Sequence, residues 1–277
     1  MTDFEAVTAQ ELETTLDALE ESKPLVQALT NQVTMNDVAN IILHWGALPV
    51  MADSFGDAGE MAEIAGAILI NAGQIADDNV EAMHEAGRMA NDRGIPVVLD
   101  PVGVGSTPSR EAVAESLLSE VDFAVIKGNY GEISALSGVE ADVKGVESIG
   151  DYDEIDETAR SLADSTGATV VASGVEDIVA DAENAVSVSA GHEMMGEVVG
   201  TGCMLGATVA AFCGALEDDR AAAVRGTLAF GLAGERATHL EYNGPASYRT
   251  NFLDSVAELS AEVVDELDPE GRVTPLE

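Results

Sequence analysis

At 277 residues the chain has room for one large α/β domain or two small ones, and either could bury a substantial core. Its 51 acidic side chains against 12 basic ones give a formal charge of −39, which repels nucleic-acid phosphates and anionic headgroups and so excludes nonspecific binding to either. Lysine occurs only at positions 23, 127 and 144, and this scarcity beside the acid excess predicts adaptation to a very salty cytoplasm, with a fold that needs salt to screen its self-repulsion.

In chain order, residues 1–23 read as a peripheral acidic segment with a helix in it, and the start "MTDFEAVTAQE" has no signal-peptide pattern. Strand-length apolar runs follow at 48–52, 67–71, 96–100, 123–127 and 168–173. Most are separated by amphipathic segments, such as 77–92 and 154–165, whose carboxylates lie on helical faces. Such alternation predicts an α/β fold with a mostly parallel central sheet covered by helices. Residues 178–192 read as two short strands around an Ala-Glu-Asn turn, and the chain from about 200 to 265 as largely helical. With no repeat, linker or low-complexity stretch, residues 1–277 are expected to form a single domain. No apolar run is long enough to span a bilayer, so the expected location is the cytoplasm. Cys203 and Cys213 lie ten residues apart in one predicted helix, too far along its axis for a disulfide.

Ligands of open parallel sheets bind beyond the carboxyl ends of the strands, so the loops there hold the candidate residues. Asp100 ends one strand before "PVGVGS", a position from which a carboxylate reaches Mg²⁺ through water or a phosphate. In "VIKGNYGEI", Lys127 could meet a phosphate, while Asn129 and Glu132, one helical turn apart, either face a common ligand or form a helix cap. The stretch "EVVGTGCMLGATVAAFC" places the amides of Gly200, Thr201, Gly202 and Cys203 at a helix start, a natural anion site. The plainer reading is a tight turn capped by Thr201. Cys203 there is either a thiol whose pKa the helix dipole lowers or a small buried residue. A hydrolase would need a histidine base, and of the four histidines only His192 lies near in sequence, which disfavours that chemistry. No G-x-x-x-x-G-K-[ST] pattern occurs, and "GVGS" lacks the dinucleotide spacing, so any ATP chemistry must use another fold.

Taken together, "PLVQALTNQVTMNDVANIILHWGALPVMAD" (24–53), "GIPVVLDPVGVGSTPSR" (94–110), "VIKGNYGEI" (125–133), "GHEMMGEVVGTGCMLGATVAAF" (191–212) and "FGLAGERA" (230–237) resemble the hydroxyethylthiazole kinase family of the ribokinase-like superfamily. The similarity runs from about 24 to 260. It implies a ribokinase-like three-layer sandwich and ATP-dependent phosphorylation, with Mg²⁺, of the alcohol of 4-methyl-5-(2-hydroxyethyl)thiazole in thiamine salvage. It further implies that Cys203 faces the substrate hydroxyl, where most superfamily members carry an aspartate base, and that Gly200, Thr201 and Gly202 hold the transferring phosphoryl group. By the same resemblance Met51 and Gly200 contact the thiazole, Lys127, Ser173 and Asn129 belong to the ATP site, and Asp100 and Glu132 serve the Mg²⁺–phosphate cluster. Family members form trimers with the thiazole site at subunit interfaces, which would give "TNQVTMNDVAN" a role there. Departures from the family pattern are Lys127 for arginine, Ser173 for threonine, Ala28 for cysteine and Val199 for threonine; a lysine keeps the charge but loses the bidentate fork. A kinase of another small alcohol, such as hydroxymethylpyrimidine, and a non-catalytic sensor of thiazole or nucleotide are the alternatives.

Overall fold

The computed structural model describes residues 7–138, 143–144, 147–148 and 154–276. Its elements in chain order are α1 (Ala9–Ser22), β1 (Leu25–Leu29), α2 (Met35–His44), β2 (Leu48–Val50), α3 (Asp57–Ala62), β3 (Ala67–Asn71), α4 (Asp77–Arg93) and β4 (Val97–Asp100). Next come α5 (Pro108–Glu120), β5 (Val125–Asn129), α6 (Tyr130–Leu136), a small antiparallel pair β6 (Val143–Lys144) and β7 (Glu147–Ser148), α7 (Ile155–Thr166), β8 (Thr169–Ser173), β9 (Asp177–Ala180) and β10 (Ala185–Val188). A 3-10 turn at Glu193–Glu197 leads into α8 (Thr201–Ala215), α9 (Asp219–His239), α10 (Pro245–Ala257), α11 (Ala261–Glu266) and β11 (Val273–Leu276).

Among the described residues nine strands form one sheet in the order β11-β10-β9-β8-β5-β4-β3-β1-β2. From β8 to β2 every pairing is parallel, and β9, β10 and β11 extend the sheet antiparallel. Successive strand residues point to opposite faces, so Ile68, Ile70, Val97, Leu99 and Ile126 pack with α3, α4 and α7, whereas Leu69, Val98, Val125 and Val171 pack with α2, α8, α9 and α10. The result is a helix–sheet–helix sandwich in which strands buried on both faces read as continuous apolar runs. Each fully buried Leu or Ile contributes about 1.5–3 kcal/mol relative to exposure.

Helix α8 crosses the middle of the sheet. It can do so because it is almost wholly small and apolar: a Cβ on Gly206 would sit 3.4 Å from Asp100 Oδ2 and from Leu69, and one on Gly214 would meet Pro24 at 2.8 Å. Trp45 at the end of α2 stacks edge-on against Phe212 and donates from Nε1 to Thr208 Oγ1 at 2.8 Å, which locks α2 beside α8.

Three sequence expectations shift. Leu25–Leu29 forms a strand that the sequence does not advertise, the strand expected at 123–127 lies at Val125–Asn129, and the helical tail is followed by an edge strand at Val273–Leu276. In the acidic N-terminal segment, residues 1–6 lie outside the described residues, while α1 starts in a Thr8–Glu11 capping box and buries Leu12 and Leu19 in the core.

Candidate active site

The carboxyl ends of β1, β3, β4, β5 and β8 converge with the start of α8 on a cavity of about 380 Å³. Its walls include Asn31, Asp100, Lys127, Glu132, Gly200 and Cys203. A parallel sheet directs its strand-terminal side chains to one edge, so residues far apart in sequence meet there.

Asp100 is almost wholly buried. Its Oδ2 accepts from Asn71 Nδ2 at 2.6 Å and its Oδ1 pairs with Lys127 Nζ at 3.5 Å. Burial pushes the Asp100 pKa above its ordinary value, against the pull of the Lys127 ammonium and the Asn71 hydrogen bond. Burial alone would favour a neutral Lys127, yet the carboxylates of Asp100 and Glu132 outweigh it and raise the lysine pKa, so the ammonium persists. Lys127 is therefore an interior charge rather than a surface one.

Asn129 and Glu132 form a reciprocal cap at the start of α6. Asn129 Oδ1 accepts from Glu132 N–H at 2.9 Å, and Glu132 Oε2 accepts from Asn129 N–H at 2.8 Å. Glu132 Oε1 also accepts from Gly103 N–H at 2.6 Å, which ties the loop after β4 to the loop after β5. Both residues line the cavity as well, so capping and facing a common cavity coexist here. Burial raises the Glu132 pKa to about 7, opposed by Lys127 and reinforced by Asp100.

The turn before α8 departs from its expected form. Gly200 is the N-cap, at φ 93°, where a side chain would be strained, and a Cβ there would also lie 2.7 Å from Thr34 Cγ2. Thr201 does not cap the helix: its hydroxyl donates to the carbonyls of Met195 and Val198, both at 2.8 Å, and fastens the preceding 3-10 turn. A Cβ on Gly202 would come within 3.1 Å of Lys127 Nζ, so the bare backbone lets this turn approach the ammonium. Cys203 follows at the third helical position with 8% exposure. The expectation of a lowered thiol pKa is corrected: burial and then the Asp100 carboxylate raise it, outweighing hydrogen bonds from Thr34 and Asn71. Asn31 Nδ2 approaches Cys203 Sγ at 3.6 Å.

A second cavity of about 630 Å³ adjoins the first and shares Ser173 and Gly202 with it. Thr201, Asp177, Gly191, His192, Phe230 and Gly231 line this second space. Burial raises the Asp177 pKa to about 7 there, opposed by the Gly174 amide. Met51 lies just past edge strand β2, half-buried against the core and outside the lining of either cavity.

Sequence reasoning missed Asn31 and Asn71. Asn71 Oδ1 accepts from Asn31 Nδ2 and from Gly73 N–H, each at 3.1 Å, and so links Cys203's neighbour to Asp100. Their one signal was a polar residue closing an apolar run in "AILIN" and "ALTN". Among the described residues no group of three or more His, Cys, Asp or Glu side chains is arranged to hold a metal ion, and no helix is long and apolar enough to cross a membrane.

Comparison with known proteins extends the geometry. A sequence profile described as the hydroxyethylthiazole kinase family matches residues 16–262. Hydroxyethylthiazole kinase of Natronomonas pharaonis is 50% identical over 276 residues, which cover 99% of this chain and 98% of that protein. The enzyme of the same name from Thermoanaerobacter pseudethanolicus is 46% identical over 251 residues, 90% of this chain and 95% of the relative. The solved structure of a hydroxyethylthiazole kinase protein from Pyrococcus horikoshii OT3 aligns with TM-score 0.86 and 34% identity over 97% of this chain and 100% of that one. A ribokinase-like superfamily protein from Enterococcus faecalis V583 aligns at TM-score 0.64 with 13% identity, over 89% of this chain and 95% of its own, a likeness of fold alone. The sandwich expected from the sequence is thus the ribokinase-like one.

Proposed function

The chain belongs to the hydroxyethylthiazole kinase family, and from that premise we propose that it transfers the γ-phosphoryl group of ATP to the primary alcohol of 4-methyl-5-(2-hydroxyethyl)thiazole, with the two cavities dividing the reactants. The observation that carries this division is that the Gly200–Cys203 turn stands between them, Gly202 facing both. The nucleotide's base and sugar occupy the larger cavity beside Ser173, its phosphates reach past Gly202 toward Lys127 and Asn129 in the smaller one, and the thiazole alcohol enters that smaller cavity beside Gly200 and Cys203.

In the transfer, the alcohol oxygen forms a bond to the γ-phosphorus as the bond to the β–γ bridging oxygen breaks, and ADP leaves. The transition state of such transfers is loose, so positioning and charge neutralisation dominate and the nucleophile's proton departs late. That suits a thiol whose pKa is raised: Cys203 orients the hydroxyl and is a weak base at most. The amides of Gly200, Thr201, Gly202 and Cys203 cradle the equatorial phosphoryl oxygens. Lys127, whose ammonium lies close beneath Gly202, neutralises developing charge.

The donor set suits Mg²⁺. That ion keeps several waters and binds through one or two carboxylates plus substrate phosphates rather than in an all-protein cage. Asp100 and Glu132 are two hard oxygen donors held rigid by Asn71, Gly103 and Asn129, with lone pairs to spare. When bound with ATP the ion would offset phosphate charge.

The assembly we propose is a homotrimer with sites at subunit interfaces. Met51's place outside both cavities supports it, since a neighbour's Met51 could then complete a thiazole pocket, as do the exposed apolar side chains Leu43 on α2, Leu48 on edge strand β2, and Phe55 and Ile64 on either side of α3. Phosphorus NMR of a mixture with Mg²⁺-ATP and the thiazole alcohol tests the reaction directly: a new phosphate monoester signal is expected. ADP with free phosphate and no monoester would reject it.

A further inference from the structure

The motif "FGLAGERA" is left without work by the chemistry above, and it holds Glu235, on α9. Arg272 meets Glu235 with both prongs of its guanidinium, Nη1 to Oε1 at 2.8 Å and Nη2 to Oε2 at 3.1 Å. The same Oε1 accepts from the backbone N–H of Gly191 at 3.0 Å. Arg272 Nη1 also donates to the Ser189 carbonyl at 3.1 Å, and Ser189 N–H donates to the Arg272 carbonyl at 2.8 Å. One guanidinium therefore binds three pieces of chain: α9, the 189–191 loop and the segment between α11 and β11.

That loop is a wall of the larger cavity, which Ala190, Gly191 and Gly231 all line. It lies directly on α9, where a Cβ on Gly231 would come within 2.6 Å of Ala190. Gly191 itself has φ 120°, so its conformation is not one that local sequence would hold against alternatives. The wall's Ser189 hydroxyl donates to Glu176 Oε1 at 2.6 Å and Ala190 packs on the core, while its backbone is gripped by Glu235 and Arg272. Arg272 also lies beyond the family profile, which ends at residue 262, in the segment that adds β11 to the sheet.

We infer that Arg272 and Glu235 are positioning residues for nucleotide, fixing the Ser189–Gly191 wall of the larger cavity through a strap formed by the C-terminal segment. The inference rests on the reading that this cavity takes ATP. It is specific in kind: the pair touches no reacting atom, so it sets how well nucleotide is held and leaves the transfer step alone. A bidentate arginine–carboxylate pair with a third, backbone partner is geometrically demanding, so lysine cannot fully replace the arginine.

The test compares Arg272→Met, Arg272→Lys and Glu235→Gln with the parent in saturating salt, measuring kcat, both KM values and the unfolding midpoint. Arg272→Met is expected to raise KM for ATP roughly three- to tenfold, with kcat and the thiazole KM within about twofold, and Arg272→Lys to fall between it and the parent. Glu235→Gln keeps an acceptor for Gly191 and should cost less than Arg272→Met. Unchanged ATP affinity in folded Arg272→Met overturns the inference, as does a loss in kcat and both KM values that merely follows the unfolding midpoint. Calorimetric binding of a non-hydrolysable ATP analogue to the same proteins reads nucleotide affinity without turnover. A parent that binds the analogue but phosphorylates nothing rejects the kinase reading alone, whereas equal analogue affinity in parent and Arg272→Met rejects the strap.

Discussion

Asn71 donates a 2.6 Å hydrogen bond to Asp100 Oδ2 while its own carbonyl oxygen accepts from Gly73 N–H, which fixes the direction of the amide. A backbone N–H can only donate, so the side-chain NH₂ must face the carboxylate. Asn31 then joins Asn71 to the Cys203 thiol, and the chain from thiol to carboxylate runs through two asparagines.

Asn71→Ala frees Asp100 to rotate and leaves its oxygen short of a partner. Turnover should fall on the order of 10- to 100-fold, with KM for the thiazole changing much less. Steady-state kinetics on folded protein check this; equal losses in kcat and substrate affinity would mean that Asn71 supports the fold and not the carboxylate.

Cys203→Ala should lower turnover and leave measurable activity, because a thiol of raised pKa contributes orientation more than proton abstraction. Cys203→Asp should be tolerated, since it puts a carboxylate where the superfamily resemblance implies a base. Rates for both variants at matched substrate saturation decide the matter, and complete loss in both at unchanged affinity contradicts it.

Glu132 gives a pH dependence with a definite sign. Its folded pKa is raised to about 7, so the native state holds a proton that the unfolded chain releases near the ordinary glutamate value. The stability associated with that proton is fully present below the unfolded pKa and is lost as pH rises through about 7. Glu132→Gln should therefore flatten the fall of the unfolding midpoint between about pH 4.5 and 7. Parallel curves for parent and Glu132→Gln would show that Glu132 titrates as an ordinary carboxylate.

The formal charge of −39 predicts that the fold needs salt. Screening lengths shrink from about 10 Å at 0.1 M to about 3 Å at 1 M, so repulsion among surface carboxylates fades over that range. The unfolding midpoint should rise with KCl, most steeply between about 0.1 and 1 M. Full native circular dichroism in dilute buffer, with a midpoint insensitive to KCl, would count against it.

Much of the sheet was legible because its strands are buried on both faces and read as unbroken apolar runs. "AILIN" falls on β3 residue for residue. β1 was hidden by Gln27, a buried amide in mid-strand that donates to the carbonyls of Ala52 and Ala58 at 2.9 and 3.0 Å, and so looks polar to any periodicity argument. β5 ends on Gly128 and Asn129, residues with poor strand propensity, and Pro275 disguises β11, which sits at the sheet edge where proline is tolerated. At the site, Asp100, Lys127, Asn129, Glu132 and the Gly200–Cys203 turn were visible in polar or glycine-bearing segments beside apolar runs, Ser173 came from the family resemblance alone, and they come together around the two cavities. What local sequence could not supply is depth. The dipole argument for Cys203 is local and points downward, whereas burial beside Asp100 is tertiary and wins. Asn31 and Asn71 likewise acquire their roles only because β1 and β3 lie side by side in parallel register.

The most direct measurement is ADP release in multimolar KCl with Mg²⁺-ATP, comparing hydroxyethylthiazole with the hydroxymethylpyrimidine half of thiamine. Turnover with the thiazole, and little with the pyrimidine, is the predicted result. Turnover confined to the pyrimidine, or none with either in protein that is demonstrably folded, would contradict it.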